Sequence, residues 1–276
     1  MEQYKIIVTD VNILKQLNNQ VYRHNGFKMF SNGDSFDGEI VDGLQEGQGI
    51  YRWANGGYYD GEWLHGEMTG ECKRYFKNGE SFHGEMRNGT PVYGTYFWND
   101  GASYTGDWKK WDRHGHGTMK YSSGAAYHGY WDNDKRHGYG VMTWPDGCCY
   151  SGYWKDNKRH GHGKFQYEDN SFYEGEFEND EKQGSGEYHF ASGTIYRGHF
   201  YKNKFNGYGV MKWPDGDEYF GFYENGLIHG NGTYYYNNGD QYDGEFKFGK
   251  KDGKGTYHFN DGSSKSGYWS SDKYIG

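Results

Sequence analysis

The chain has 276 residues, with 30 Lys and Arg against 38 Asp and Glu, for a formal net charge of −8. That balance leaves no general grip on nucleic acid and disfavours an anionic membrane, because both need a basic surface. No apolar run approaches transmembrane length, and rings dominate the apolar content: 10 Trp, 30 Tyr and 17 Phe against 20 Val, Ile and Leu.

Eight of those 20 aliphatic residues fall within the first 21 positions, from Ile6 to Val21, so residues 1–20 are compositionally foreign to the rest. Met1 to Asn12 carries Asp10 and lacks the charged start and apolar core of a secretion signal. Tyr4 to Asn19 reads as a short strand and a helix, with Val11, Leu14 and Leu17 on one face. We expect it to cap the first repeat, or to act as a docking peptide. Three cysteines, two of them adjacent at Cys148 and Cys149, do not make a disulfide framework, so a soluble chain of a reducing compartment is predicted.

From residue 21 onward one pattern repeats. A half unit spans 21–33, followed by ten full units and a partial C-terminal one. In aromatic-x-Gly-x-bulky, the glycines stand at 38, 61, 84, 106, 129, 152, 175, 198, 221, 244 and 267, and nine of the ten intervals are 23 residues. A period this regular means one supersecondary unit copied in tandem. Two before the glycine stand rings such as Tyr59, Tyr104, Tyr127 and Tyr150; two after it stand Trp63, Trp108, Trp131 and Trp154. A spacing of two puts all three on one face of a strand, with Glu39, Glu62 and Glu176 on the wet face. A second strand opens on Gly-x-Gly, as at Gly138 and Gly140, and carries bulky pairs such as Met142 and Trp144. A turn with Asn-Gly, Asp-Gly or Ser-Gly follows, replaced once by Asn170. Each unit thus reads as strand, short polar loop, strand, tight turn. The fold class predicted is all-β: an elongated, single-layer antiparallel meander of tandem hairpins, advancing about 9–10 Å per unit. One side is expected to be paved with rings that form a groove for partners.

Tyr-x-Gly-x-Trp, a loop, Gly-x-Gly, then Asp-Gly or Asn-Gly before the next Tyr, at a period of 23, resembles the MORN (membrane occupation and recognition nexus) repeat. The resemblance runs from Phe36 to Gly276. Two units depart from it: Cys72 replaces a Gly-x-Gly glycine, and the unit after Gly84 is one residue short, with Pro91 and Val92 in place of the usual pattern. The resemblance implies a non-enzymatic scaffold like the ciliary and flagellar members, particularly the radial-spoke head proteins of the axoneme, with other axonemal proteins as partners. It also implies two alternatives: a peripheral membrane adaptor for acidic phospholipids, and a regulatory subunit of a cytoskeletal or lipid-kinase complex.

Candidate chemistry is sparse. His114, His116, His137, His160, His162 and His229 cluster where loops meet strands, but equivalent positions about 9–10 Å apart do not suit one zinc ion, so no metal is expected. The loop from Asp132 to His137 begins like a calcium loop, yet His137 stands where that loop needs glycine. Gly-x-Gly opens no helix that would hold a phosphate. Cys148 lacks a paired base, and no catalytic combination or cofactor site departs from the template. The basic loop residues Arg113, Lys135, Arg136, Lys158 and Arg159, with Lys109, Lys110 and Lys155, form a candidate partner-binding stripe. It reads either as a solvated edge that blocks aggregation or as a docking strip for acidic protein or phosphoinositide. The last strand, around Tyr268 and Trp269, is expected to be unpaired and to allow a homodimer through terminal repeats.

Overall fold

Glycine at fixed positions, rings at a spacing of two and turn residues every ten or so positions produce strands and nothing else. The computed structural model describes residues 21–276, and among them lie 23 strands and no helix. The expected cap in residues 1–20 lies outside the described residues. The chain forms two compact units, one up to Asp112 and one from Arg113 onward. Each is an antiparallel meander in which hydrogen-bonded neighbours follow chain order. The all-β fold of tandem 23-residue hairpins is as the sequence predicts.

The turns are distributed differently from that expectation. The connection inside each repeat is the tight one: in Asn133-Asp134 both residues have positive φ, 47° and 65°, as do Asp156-Asn157 at 49° and 70°. Two successive positive φ values make the turn whose twist suits a two-residue hairpin, and Asn and Asp tolerate them. The Asn-Gly and Asp-Gly connection between repeats is wider. In it Trp144 N–H donates to Cys148 O, Gly147 N–H donates to Trp144 O, and only Gly147 has positive φ. At the substituted turn Asn170 takes φ 66°.

The two glycines of Gly-x-Gly do different work. Between Ala126–Asp132 and Lys135–Thr143 the register slips after Gly129: Gly129 faces Gly140, but Tyr130 faces His137. Gly138, with φ 56°, sits in this bulge. Gly140 lies flat against Gly129, where a side chain would strike the Tyr127 ring. The first glycine bends the strand, and the second leaves a floor for a ring.

The C-terminal strand corrects one expectation. Ser264–Ser270 is not left unpaired, because a turn at Ser271-Asp272 brings Lys273–Tyr274 back beside it. Ile275 N–H donates to Tyr268 O at 2.8 Å, and Trp269 is buried. This very short strand covers residues 268–270 of Ser264–Ser270, a known way of blunting edge-to-edge pairing.

Candidate functional site

The aromatic row is the core. Tyr59, Tyr104, Tyr127 and Tyr150 are 0 % exposed, and Trp63, Trp108, Trp131 and Trp154 no more than 8 %. A row on one face of a meander is buried because each ring is covered by the next repeat. Tyr127 meets Trp131 edge-on at 5.1 Å and Trp154 of the following repeat at 5.5 Å. Tyr150 does the same with Trp154 and Phe177, Tyr173 with Phe177 and Phe200, and Tyr196 with Phe200 and Tyr223. Each contact is worth about 0.5–1.5 kcal/mol beyond area burial. The predicted groove of rings offered to partners is therefore absent on this row, since the same rings are used to join repeat to repeat.

Hydrogen bonds explain the Tyr that fills the first ring position in eight repeats and the Trp that fills the second in five. The Tyr127 hydroxyl donates to Tyr130 O at 3.0 Å, and Tyr150 to Tyr153 O at 2.9 Å, the carbonyls beside the register slip. Trp154 Nε1 donates to Gly140 O at 3.2 Å, one repeat back, as Trp63 does to Gly49 O and Trp108 to Gly94 O. Buried ring donors need such partners.

The structure divides the predicted basic stripe into two kinds of residue. Arg113, Arg136 and Arg159 lie over the rings, with Cζ 4.5 Å from Trp131, 4.3 Å from Trp154 and 5.1 Å from Phe177 respectively. Each also binds the loop of the next repeat: Arg113 Nε donates to Asp134 Oδ1 at 2.8 Å, Arg136 NH2 to Asn157 O at 2.9 Å, and Arg159 NH2 to Asp180 O at 2.8 Å. These three arginines act as covers and ties. Lys135 and Lys158 are exposed, and Lys135 Nζ pairs with Asp156 Oδ1 at 3.1 Å. Reversing the charge of Arg136 would thus disturb the core, whereas Lys135 and Lys158 can be altered from outside.

The next repeat places Lys182 at the arginine position, 4.3 Å from the Tyr188 ring and 5.2 Å from Tyr173. Burial, and secondarily Arg159, lowers its ammonium to about 8. Sequence reasoning missed this cover role; its signal was a bulky or basic residue seven positions after most of the glycines, as at Met68, Arg113, Arg136, Arg159, Lys182, Phe205 and Lys251, with Gln45 and Pro91 as the exceptions.

On the opposite face, ring pairs stand in the open. Tyr139 and Tyr153 are 54 % and 53 % exposed with centroids 5.7 Å apart, and Tyr208 pairs with Phe222 in the same way. Among the described residues no three His, Cys, Asp or Glu side chains converge as a metal-ligand set, and no helix is long and apolar enough to cross a membrane. Cys72 is buried, and its thiol is pushed up to about 11, chiefly by burial.

Turn carboxylates tie repeats together through the second strand. Tyr51 donates to Asp34 Oδ2 at 2.7 Å and Tyr257 to Asp240 Oδ2 at 2.7 Å. These bonds hold Asp34 and Asp240 below the usual carboxylate range, while burial first, and then Asp34, raises Tyr51 to about 12. Burial also raises Tyr242 to about 12. A raised tyrosine pKa gives stability that is full below the unfolded value near 10 and is lost as pH climbs toward 12; a depressed carboxylate gives stability that is lost as pH falls below about 4. Thermal melts should therefore peak between about pH 7 and 10, losing stability on the acid side as the half-buried His83 is forced to charge, gaining a little above about pH 8 where folded Lys182 gives up its proton, and falling steeply above about pH 10. Tyrosinate absorbance should rise together with loss of the circular dichroism of the strands. Free titration near pH 10 in an intact fold would show the rings to be open to solvent.

Among known proteins, the MORN repeat pattern matches residues 36–58, 59–81, 104–126, 127–149, 150–172, 173–195, 196–218, 219–241 and 242–264. It skips 82–103, the shortened repeat with Pro91. No curated protein matches the chain. Among solved structures, the TCP10 domain of Danio rerio CPAP in complex with a peptide of Danio rerio STIL is 12 % identical with TM-score 0.42, over 90 % of this chain and 100 % of that one. The Drosophila melanogaster SAS-4 (dCPAP) TCP domain, in complex with a proline-rich motif of Ana2 (dSTIL), is 14 % identical with TM-score 0.36, over 57 % of this chain and 89 % of that one. Nine matched repeats cover well over half of the sequence, and the chain belongs to the MORN repeat family, whose repeats fit a scaffold or a protein- or membrane-binding role.

Proposed function

We propose that this protein is a non-enzymatic scaffold of the ciliary or flagellar axoneme, a radial-spoke head component that holds other proteins through its exposed edges and outer face. One observation carries the scaffold reading: from repeat to repeat, the same ring contacts, Trp Nε1 bonds and arginine ties recur, as between Tyr150, Trp154, Phe177 and Arg159. Coupling of this kind stiffens an array without reserving a pocket for turnover. The assignment to the spoke head comes from the resemblance to MORN members of cilia. Against the membrane alternative stand the net charge of −8 and the interleaving of Asp134, Asp156 and Asp180 among the loop cations.

Salt-washed, detergent-extracted axonemes are expected to retain the tagged protein, and phosphoinositide liposomes to leave it in the supernatant. Release with the membrane fraction would reject the assignment. Changing Lys135 and Lys158 together to Glu should weaken retention if the exposed edge does the docking, with the melting temperature unchanged.

A further inference from the structure

A site in a repeat protein appears where several positions leave the template together. In the unit that ends at Asp112 three do so. Arg74 occupies the inward position that is Tyr51, Tyr96, Met119, Met142, Phe165 and Tyr188 in other repeats. Trp111 takes φ 72° at a turn position that is Gly, Asn or Asp elsewhere, an unusual backbone for a bulky residue. Pro91, in the shortened repeat, stands opposite Met86, where other repeats place their cover residue opposite the ring.

The departures meet. The Arg74 guanidinium lies 4.9 Å from the Trp53 ring, 4.9 Å from Phe76 and 5.0 Å from Trp111. Its Nε is buried without a hydrogen-bond partner, and Arg74 makes no ion pair among the described residues. Each covering arginine of the other unit, by contrast, has its Asp or Asn. Beside Arg74 opens a cavity of about 110 Å³ lined by Trp53, Asn55, Gly57, Phe76 and the exposed Lys77. A half-buried cation walled by rings and lacking an anion is an incomplete site, because a guanidinium out of water needs a paired acceptor.

We propose that Arg74, whose guanidinium lies among Trp53, Phe76 and Trp111, is an anchor for a carboxylate of an acidic segment on a partner protein, seated in the cavity lined by Trp53, Asn55, Phe76 and Lys77. The geometry favours a carboxylate over a phosphate. A guanidinium held among rings presents its N–H groups in one plane, a planar carboxylate accepts two of them in that plane, and the space beside it is small. The proposal relies on the scaffold reading only in taking the carboxylate from a protein.

The test is fluorescence anisotropy with a dye-labelled hexaglutamate peptide at low salt. The net charge of −8 repels such a peptide in general, so binding reports a local site. The wild-type chain is expected to bind. Arg74→Met, which restores the residue found at Met119 and Met142, should keep or raise the melting temperature and weaken binding at least tenfold. Arg74→Lys should also weaken it, having lost the planar fork. Equal binding by wild type and Arg74→Met, or no binding by either, overturns the proposal. So does displacement of the peptide by inorganic phosphate at lower concentration than by acetate. If the peptide fails while axonemes still retain the protein, the anchor falls and the scaffold reading stands; if the peptide binds through Arg74 but axonemes do not retain the chain, the reverse holds.

Discussion

Tyr150→Ala is expected to cost about 3–5 kcal/mol, the range for removing a buried ring. Tyr150 is 0 % exposed and is held edge-on by Trp154 at 5.1 Å and by Phe177 of the next repeat at 5.3 Å. Its removal leaves a cavity between two repeats, and the Tyr153 carbonyl loses its donor. Because stability in an array is a sum of repeat and neighbour terms, the loss should appear as local uncoupling. Urea unfolding should broaden or split, and amide exchange should speed up in the strands Cys149–Lys155 and Lys158–Gln166. Tyr150→Phe, which keeps the ring, should cost only about 1 kcal/mol. A loss below about 1 kcal/mol for the alanine variant would mean that the rings do not join the repeats.

Gly140→Val should be almost as damaging, at about 3 kcal/mol, through overpacking. A Cβ at Gly140 would overlap the Tyr127 hydroxyl and lie 2.6 Å from Cε2 and Cζ. That ring has nowhere to go, with Trp131 and Trp154 on its two sides. The contrasting variant is Gly147→Ala. There a Cβ meets nothing within 4 Å, and φ 87° is the whole penalty, about 1 kcal/mol. Thermal melts of the two variants separate a glycine needed for space from one needed for backbone freedom. Equal losses would refute the distinction.

Much of this could be read from residue order. A spacing of two between Tyr127, Gly129 and Trp131 permits only one shared strand face, and the alternation with acidic residues assigns the wet side. The shortened repeat was visible as a 22-residue interval and is the segment the MORN pattern skips. The placement of the turns was less legible. Asn-Gly is the strongest signal of a tight turn and makes the two-residue turn at Asn88-Gly89 and Asn225-Gly226, yet it also sits in the wider connection, as at Asn238-Gly239, while Asn133-Asp134 and Lys110-Trp111 make the two-residue turn without glycine. The register slip that creates this choice belongs to the pairing of two strands, and no single strand encodes it.

The candidate site was legible only in outline. Arg113, Arg136 and Arg159 stood out as basic, but sequence does not reveal whether a long cationic side chain reaches into solvent or folds back over a ring. Arg74 has no distinguishing mark in the sequence, because a charged residue in a strand looks ordinary until its inward direction and its missing acceptor are known.

Period and composition by themselves determined the repeat, the strands and the inward row, since glycine and ring spacing are local properties that any backbone must obey. Tertiary structure decided that the rings are core and not surface, that three arginines are ties, and that Arg74 lacks an anion. Burial and pairing depend on what the neighbouring repeat places opposite each side chain, about 23 residues away in the chain.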